Sequence, residues 1–559
     1  MASRCIERIR GSSQVWWHRS SAAILSLFLI AAASAQTLPP GQIRDGRAPV
    51  EPANTQTDTE DGIPLVTLIP DPVQARRPVL RENADREGEG WLRDRVARGW
   101  AAGMTGFVYD NRDRGHSVPK MHHFPQLAKT AYAPVYKDRG LDYGLAGPFR
   151  FSTPILGNSS TALTRGPFAR SQPRVVAGGQ ASAARAFRLY ETNHLYFYPE
   201  HRDHDPGTGD RFFANMPFFV VSQGSSGSDL PLLRAAFMTL AAMRPETFTA
   251  LERAGLIAPT LQMLLRHARP QATDPGSYMS GPAHPSAFAG KSVNTPLMMA
   301  AAHALTPDAI PPMVRLKVIE DFAARPGVDY PDPLRTEKIF TTPAAIARAW
   351  RSPAYRREIV LDAADTTDPN GRELVFDWVV LRGDPDKIRI THEPDDPART
   401  RARIEIDWHD AYPVPGRDDL MTSRVDIGVF ARNGATVSAP SFMSVAFPVH
   451  QARRYEPGPD GEMRPVQIDY RRPRDGTGYA GRYVDPALWA LADWTDSYAY
   501  ASQPPFETVT RHYGDGSVRT FRRGLLGLYA PDATQPVRYR AATNDQGRPV
   551  IFEEGTGAP

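Results

Sequence analysis

Thiols are almost missing from this 559-residue chain: the one cysteine is Cys5. Beyond it, an intramolecular disulfide, a thiolate nucleophile and a Cys-ligated metal are all excluded. Long apolar runs are missing too. The longest, AAILSLFLIAAA at 22–33, is shorter than the roughly 20 residues that cross a bilayer. Charge of one sign is not in excess, with 66 Lys+Arg against 62 Asp+Glu. No basic run marks a nucleic-acid surface. Three motifs are absent as well: the G-x-S-x-G elbow, the Lys of a P-loop and the H-E-x-x-H helix.

What the chain does have begins with an export signal. Arg4, Arg8, Arg10 and Arg19 precede or flank the apolar run, and Ala33-Ser34-Ala35 offers a small-residue cleavage site before Gln36. Cleavage there would remove four Arg and one Glu, lowering the net charge from +4 to +1, and would remove Cys5. A bacterial periplasmic or secreted protein with no membrane span is the expectation. Hydrophobic residues at 41% permit sizeable cores, and 53 prolines with 43 glycines call for many turns.

The expected fold is multidomain. After the signal (1–35) comes a polar, proline-rich leader (36–90), read as flexible with one docked strand at IPLVTLIP (63–70). Residues 91–355 mix strand-type runs, HLYFY (194–198) and PFFVVS (217–222), with helical spacing at 230–243, 260–268, 296–305 and 342–351. That mixture predicts an α/β or α+β main domain. Residues 357–449 alternate as short strands between turns, and 450–559 read as a β-rich extension with a hairpin at Asp515-Gly516.

Two resemblances follow from particular residues. ADTTDPNGRELVFDW (364–378) resembles the PKD/immunoglobulin-like domains of secreted bacterial proteins, which implies a β-sandwich over 357–449 with Trp378 in its core. YDNRDRGHS (109–117), GNSST (157–161), PEHRDHDP (199–206) and SQGSSGSD (222–229) look like a family of uncharacterised secreted bacterial proteins. No activity is implied by that likeness.

Those four stretches carry the candidate chemistry. In YPEHRDHDPGTGD (198–210), Asp203, Asp205 and Asp210 form a partial calcium loop, calcium being the cofactor these residues suggest. The alternatives there are zinc through His201 and His204, acid–base work by Asp203 and His204, or a solvated loop. In SQGSSGSD, Gly224 and Gly227 shape a turn into a helix whose N–H groups suit an anion or oxyanion. Ser226 or Ser225 is a candidate nucleophile there, and the plainer reading has Ser228 or Asp229 capping the helix. Arg112 and Arg114 would clamp a substrate anion beside Asp113 and His116, or merely lace a turn with ion pairs. Asn158 and Ser159 would position a hydroxyl-bearing substrate. His284 reads as structural.

A condition decides whether these stretches meet. If HLYFY and PFFVVS pair in parallel, the loops after them face one crevice; if antiparallel, they fall at opposite ends. The favoured function is a hydrolase of an extracellular polymer, most plausibly a polysaccharide. The opposing class is a non-catalytic surface or carbohydrate-binding protein with ion-stiffened loops.

Overall fold

A computed structural model describes residues 38–81, 90–92, 94–95, 103–104, 106–145, 149–162, 177–200, 204–205, 209–210, 212–290, 292–321, 323–414, 417–471, 489–501, 506–544 and 549–554. The export signal lies outside them. Residues 39–559 form one compact unit.

Its N-terminal part is built on six strands: β1 (Arg47–Val50), β2 (Val108–Asn111), β3 (Ala128–Tyr132), β4 (Ile155–Asn158), β5 (His194–Pro199) and β6 (Phe219–Ser222). Their order across the sheet is β1-β3-β2-β4-β5-β6, and every pairing is parallel. The central strands are buried on both faces, which explains their continuous apolar character. The leader is not a loose tether: Arg47–Val50 is an edge strand of the main sheet, and 63–70 supplies two further short strands, Pro64–Val66 and Leu68–Ile69.

Helices α1 (Gln180–Glu191), α2 (Leu230–Ala242), α3 (Pro245–Ala254), α4 (Ile257–His267) and α5 (Thr295–Ala304) accompany the sheet. Pro231 sits in the first turn of α2, where its missing N–H costs nothing. Ten of α2's thirteen residues are buried, as expected of a helix apolar all round. Its Phe237 packs edge-on against Tyr109 of β2 at 5.8 Å.

A two-sheet layer follows. β7 (Lys317–Asp321), β10 (Arg356–Asp362), β12 (Ile388–Thr391) and β13 (Arg401–Asp407) form one sheet. β8 (Lys338–Thr341), β9 (Ala345–Ala349), β11 (Val375–Arg382), β14 (Arg424–Arg432) and β15 (Ser441–Ala446) form the other. Ile359, Ile404, Trp378, Ile427 and Met443 from both sheets share one core. The sandwich therefore draws in strands from well before residue 357. The run at 342–351 is strand β9, not a helix. All five of its residues are buried, because the second sheet also packs against the main-domain core through Phe340, Phe430 and Phe442. A strand covered on both faces shows no alternation, so its period is ambiguous in sequence.

A six-stranded antiparallel meander follows, β16 (Ala452–Pro457), β17 (Met463–Asp469), β18 (Trp494–Ala499), β19 (Thr508–Tyr513), β20 (Val518–Gly524) and β21 (Gly527–Tyr529), and after it a two-stranded ladder of Tyr539–Thr543 with Pro549–Glu553. The Asp515-Gly516 turn joins β19 to β20 as expected, with Gly516 at φ +88°. Among the described residues, no helix is long and apolar enough to cross a membrane.

Candidate active site

The sheet order reverses direction at β2. From there the chain steps one way to β3, then returns to lay β4 on the other side. In open parallel sheets, ligands bind beyond the carboxyl ends of the strands at such a switch point. Here the register sets Asn111 opposite Asn158 at that edge, and Pro199 opposite Ser222 two strands along. The parallel pairing of β5 with β6 meets the condition that the sequence left open. The loops after β2, β4, β5 and β6 all leave the same edge.

Asp229 lies at the start of α2 and is fully buried. Its side chain does not cap the helix, contrary to the plainer sequence expectation; it turns to β4 instead. Asn158 Nδ2 donates to Asp229 Oδ2 at 2.8 Å and to the Ser117 carbonyl at 2.9 Å. The Asn158 amide is itself fixed from behind. Its Oδ1 accepts from the Tyr109 hydroxyl at 2.7 Å and from Asn111 Nδ2 at 3.2 Å. Burial pushes the Tyr109 phenol up, so it remains a protonated donor.

Asp229 Oδ1 accepts no hydrogen bond among the described residues. Burial pushes the carboxyl up to about 6. The Asn158 amide and the N–H groups of Asp229 and Gly227 pull it down, and the charge of Asp113 adds to the upward push. A carboxylate poised there, with one oxygen uncommitted, has the character of a general base.

The surrounding backbone is strained. Arg114 (φ +51°) and Ser117 (φ +50°) both adopt the left-handed region in the loop after β2, a conformation costly for residues with a Cβ and concentrated at functional sites. Asn111 braces this loop, its Oδ1 accepting from Gly115 N at 2.8 Å and its Nδ2 donating to the His116 carbonyl at 2.9 Å. The loop meets the one after β6 through Ser117 Oγ and Ser226 Oγ, 3.2 Å apart. Gly224 (φ +125°) and Gly227 (φ +91°) make the second turn.

Other sequence candidates land elsewhere. Arg112 is no substrate clamp: it is fully buried, donating to Gly144 O (2.6 Å), Leu141 O (2.6 Å) and the Tyr132 hydroxyl (2.8 Å). Asp110, 3.7 Å from its guanidinium, accepts from Thr130, Tyr132 and Tyr196 at 2.8–2.9 Å. Tyr196 reaches Asp110 only because residue 157 is glycine; a Cβ there would lie 2.3 Å from the Tyr196 ring. Arg114 is exposed, with its guanidinium 4.6 Å from the Tyr143 ring centre. Ser159 is buried and donates to backbone carbonyls of Arg112 and Thr161. Asn158 orients Asp229 from inside, a different role from contacting substrate directly. Asp113 is buried and accepts from Ser160 Oγ at 2.7 Å, whereas His116 and Ser226 are exposed at the rim.

Asp203 and His201 lie outside the described residues. His204 stands opposite Asp210, and Asp205 opposite Gly209, in a two-residue antiparallel ladder within the β5–β6 connection. Among the described residues, no group of three or more His, Asp or Glu side chains is arranged to hold a metal ion. His284 is buried beside Tyr278 and Phe430, as its structural reading expects.

No family model and no curated protein matches this chain. A solved structure from Saccharophagus degradans, described as a nucleoside hydrolase-related hypothetical protein associated with carbohydrate metabolism, is similar over 53% of this chain and 71% of that one. The identity is 12% and the TM-score 0.17, a likeness too slight to bear on function.

Proposed function

We propose that this protein is an exported hydrolase of an extracellular glycan polymer, with Asp229 as general base. One observation carries the reading: a fully buried carboxylate at the switch point of a parallel sheet, held through one oxygen by Asn158, with its other oxygen uncommitted. Asp229 Oδ1 takes a proton from water as the water oxygen bonds to the anomeric carbon; the glycosidic C–O bond breaks, and the leaving sugar oxygen takes a proton from His204 in its imidazolium form. The N-terminus of α2 and the turn before it favour the negative charge that builds on the leaving oxygen before its proton arrives. Ser117, Ser226 and His116 at the rim supply donors and acceptors suited to a substrate rich in hydroxyl groups. The 203–210 segment, which leaves the same edge of the sheet, adds His204 and Asp203 as acid–base partners, with calcium at Asp203, Asp205 and Asp210 as its stiffening ion. The immunoglobulin-like reading of the sandwich belongs to the same proposal, as a support behind the catalytic domain.

The test is a panel of polysaccharides and esters with protein beginning at Gln36. On any substrate turned over, Asp229→Asn should lose at least about a hundredfold in kcat, the low end for a general base. His204→Ala and Asp203→Ala should follow it. Full activity in Asp229→Asn would overturn the assignment. Glycan binding without turnover by the unaltered protein would place it among binding proteins instead.

A further inference from the structure

The six-stranded meander presents a feature unrelated to the candidate active site. The hairpin between β20 and β21 turns through Gly524-Leu525-Leu526-Gly527, and both leucines face solvent, at 81% and 56% exposure. A second loop, 325–335, carries Leu334 at 69%. These are three of the four most exposed large hydrophobic side chains among the described residues. They lie some 190 residues apart in sequence, yet the fold joins their loops. Arg325 Nη2 donates to the Leu525 carbonyl at 3.3 Å, Arg523 Nη2 reaches Asp329 Oδ1 at 3.2 Å, and Gly527 sits against Gly327 and Val328.

Single exposed leucines need no explanation, but two adjacent ones at the tip of one hairpin do. The charge on the hairpin itself is of one sign. From Val518 to Tyr529 the hairpin carries Arg519, Arg522 and Arg523 and no acidic residue. In the opposing loop Asp329 is shared between Arg325 and Arg523, while Asp332 pairs with Arg335. Arg519 answers Glu553, and Glu507 borders Arg523 through its backbone. Arg522 has no carboxylate partner among the described residues; its guanidinium stacks on Tyr529, 4.8 Å from the ring centre. An aromatic and a cation behind two apolar side chains is the order of groups met on entering a bilayer: leucine in the acyl boundary, Tyr and Arg at the headgroups.

We infer that the Leu525-Leu526 hairpin tip is a docking site for an anionic lipid surface, holding the protein against a membrane without spanning it. Attraction to anionic headgroups adds to burial of the leucines, so association should need both and weaken with salt.

Flotation of protein beginning at Gln36 with vesicles tests this. Phosphatidylglycerol/phosphatidylcholine vesicles should carry the protein, and phosphatidylcholine alone should carry much less. Leu525→Ser/Leu526→Ser should reduce the bound fraction about tenfold or more, with an unchanged melting curve because both side chains are already in water. Arg522→Gln should weaken binding to the anionic vesicles selectively. No flotation of the unaltered protein, or flotation unaffected by the double substitution, would overturn the inference. So would a dimer in sedimentation velocity that the double substitution dissolves, since a second copy would then be what covers the tip.

Discussion

Asp110 and Asp229 are both fully buried in one parallel-sheet domain, and one network runs between their neighbourhoods through β2 and β4. Their surroundings treat them in opposite ways. Asp110 meets three hydroxyl donors and a buried guanidinium, and Gly157 is kept small so that one of those donors can arrive. Asp229 meets the Asn158 amide through Oδ2, with the backbone N–H groups of Asp229 and Gly227 acting on the same carboxyl, and Oδ1 accepts no hydrogen bond among the described residues. A satisfied buried charge holds elements together; an unsatisfied buried oxygen is open to a ligand or a reacting proton. The contrast separates scaffold from site more sharply than residue type does, since Arg112 reads as a site residue until its partners are counted.

The largest effect should come from breaking the satisfied node. Arg112→Ala leaves Asp110 buried without its cation and strips donors from two carbonyls, so it should destabilise the fold by about 3–5 kcal/mol. Urea denaturation would show this as a lower midpoint. A variant as stable as the parent would mean that the node is solvated and that the contrast with Asp229 is false.

Next comes the unsatisfied carboxylate. Asp229→Asn keeps the acceptor for Asn158 and removes the base, so turnover should fall by at least about a hundredfold while the fold is retained. Stability should move the other way. The folded pKa of Asp229, about 6, lies above the usual value of about 3.9. Its contribution to stability is therefore fully present below about pH 4 and is lost as the pH rises through 6. Above pH 6, Asp229→Asn should be more stable than the parent by on the order of 3 kcal/mol, and the difference should vanish near pH 4. Loss of activity together with a gain in stability is what a site group shows and a scaffold group does not. The pH–rate profile of kcat/KM should carry an acid limb near 6; a profile flat from pH 4 to 8 would remove Asp229 from the role of base.

Much of this arrangement was legible in the residues. The strands at 194–199 and 219–222, the helix after Asp229 and the hairpin at 515–516 follow from short apolar-aromatic runs, helical apolar spacing and a turn glycine. That the loops share an edge was legible only as a condition, because pairing direction is decided by partners far away in sequence. β5 and β6 pair in parallel although the described residues between them contain no crossover helix, so the usual local cue was missing. Asp229 read as a helix cap because an Asp before a proline-led helix normally is one. Its real partner, Asn158, is 71 residues away. Tyr109 and Asn111 lie in a stretch that the sequence singles out, but their own roles gave no signal, since a tyrosine on a buried strand looks like core until its hydroxyl is traced. The misread helix at 342–351 has a similar cause: burial on both faces erased the alternation.

The smallest expected effect is also the one that discriminates most finely between mechanisms. A serine nucleophile needs a base within hydrogen-bonding reach to take its proton. Ser226 is exposed, and its hydroxyl partner among the described residues is Ser117 Oγ at 3.2 Å, a group with no basicity to offer. Asp229, the group that has it, is turned towards Asn158. Water activated at Asp229 Oδ1 fits this geometry better than an attack by Ser226. Ser226→Ala should therefore lower kcat/KM by less than about tenfold, the scale of one lost rim hydrogen bond of about 1 kcal/mol. A loss as deep as that of Asp229→Asn would move the nucleophile to Ser226 and require a base brought to it by substrate closure. The distinction can be read directly: a covalent route gives a burst of product in the first turnover, and an activated-water route gives none. A burst that disappears in Ser226→Ala would erase the line between the satisfied and the unsatisfied carboxylate, because Asp229 would then be one more buried support beneath a serine at the rim.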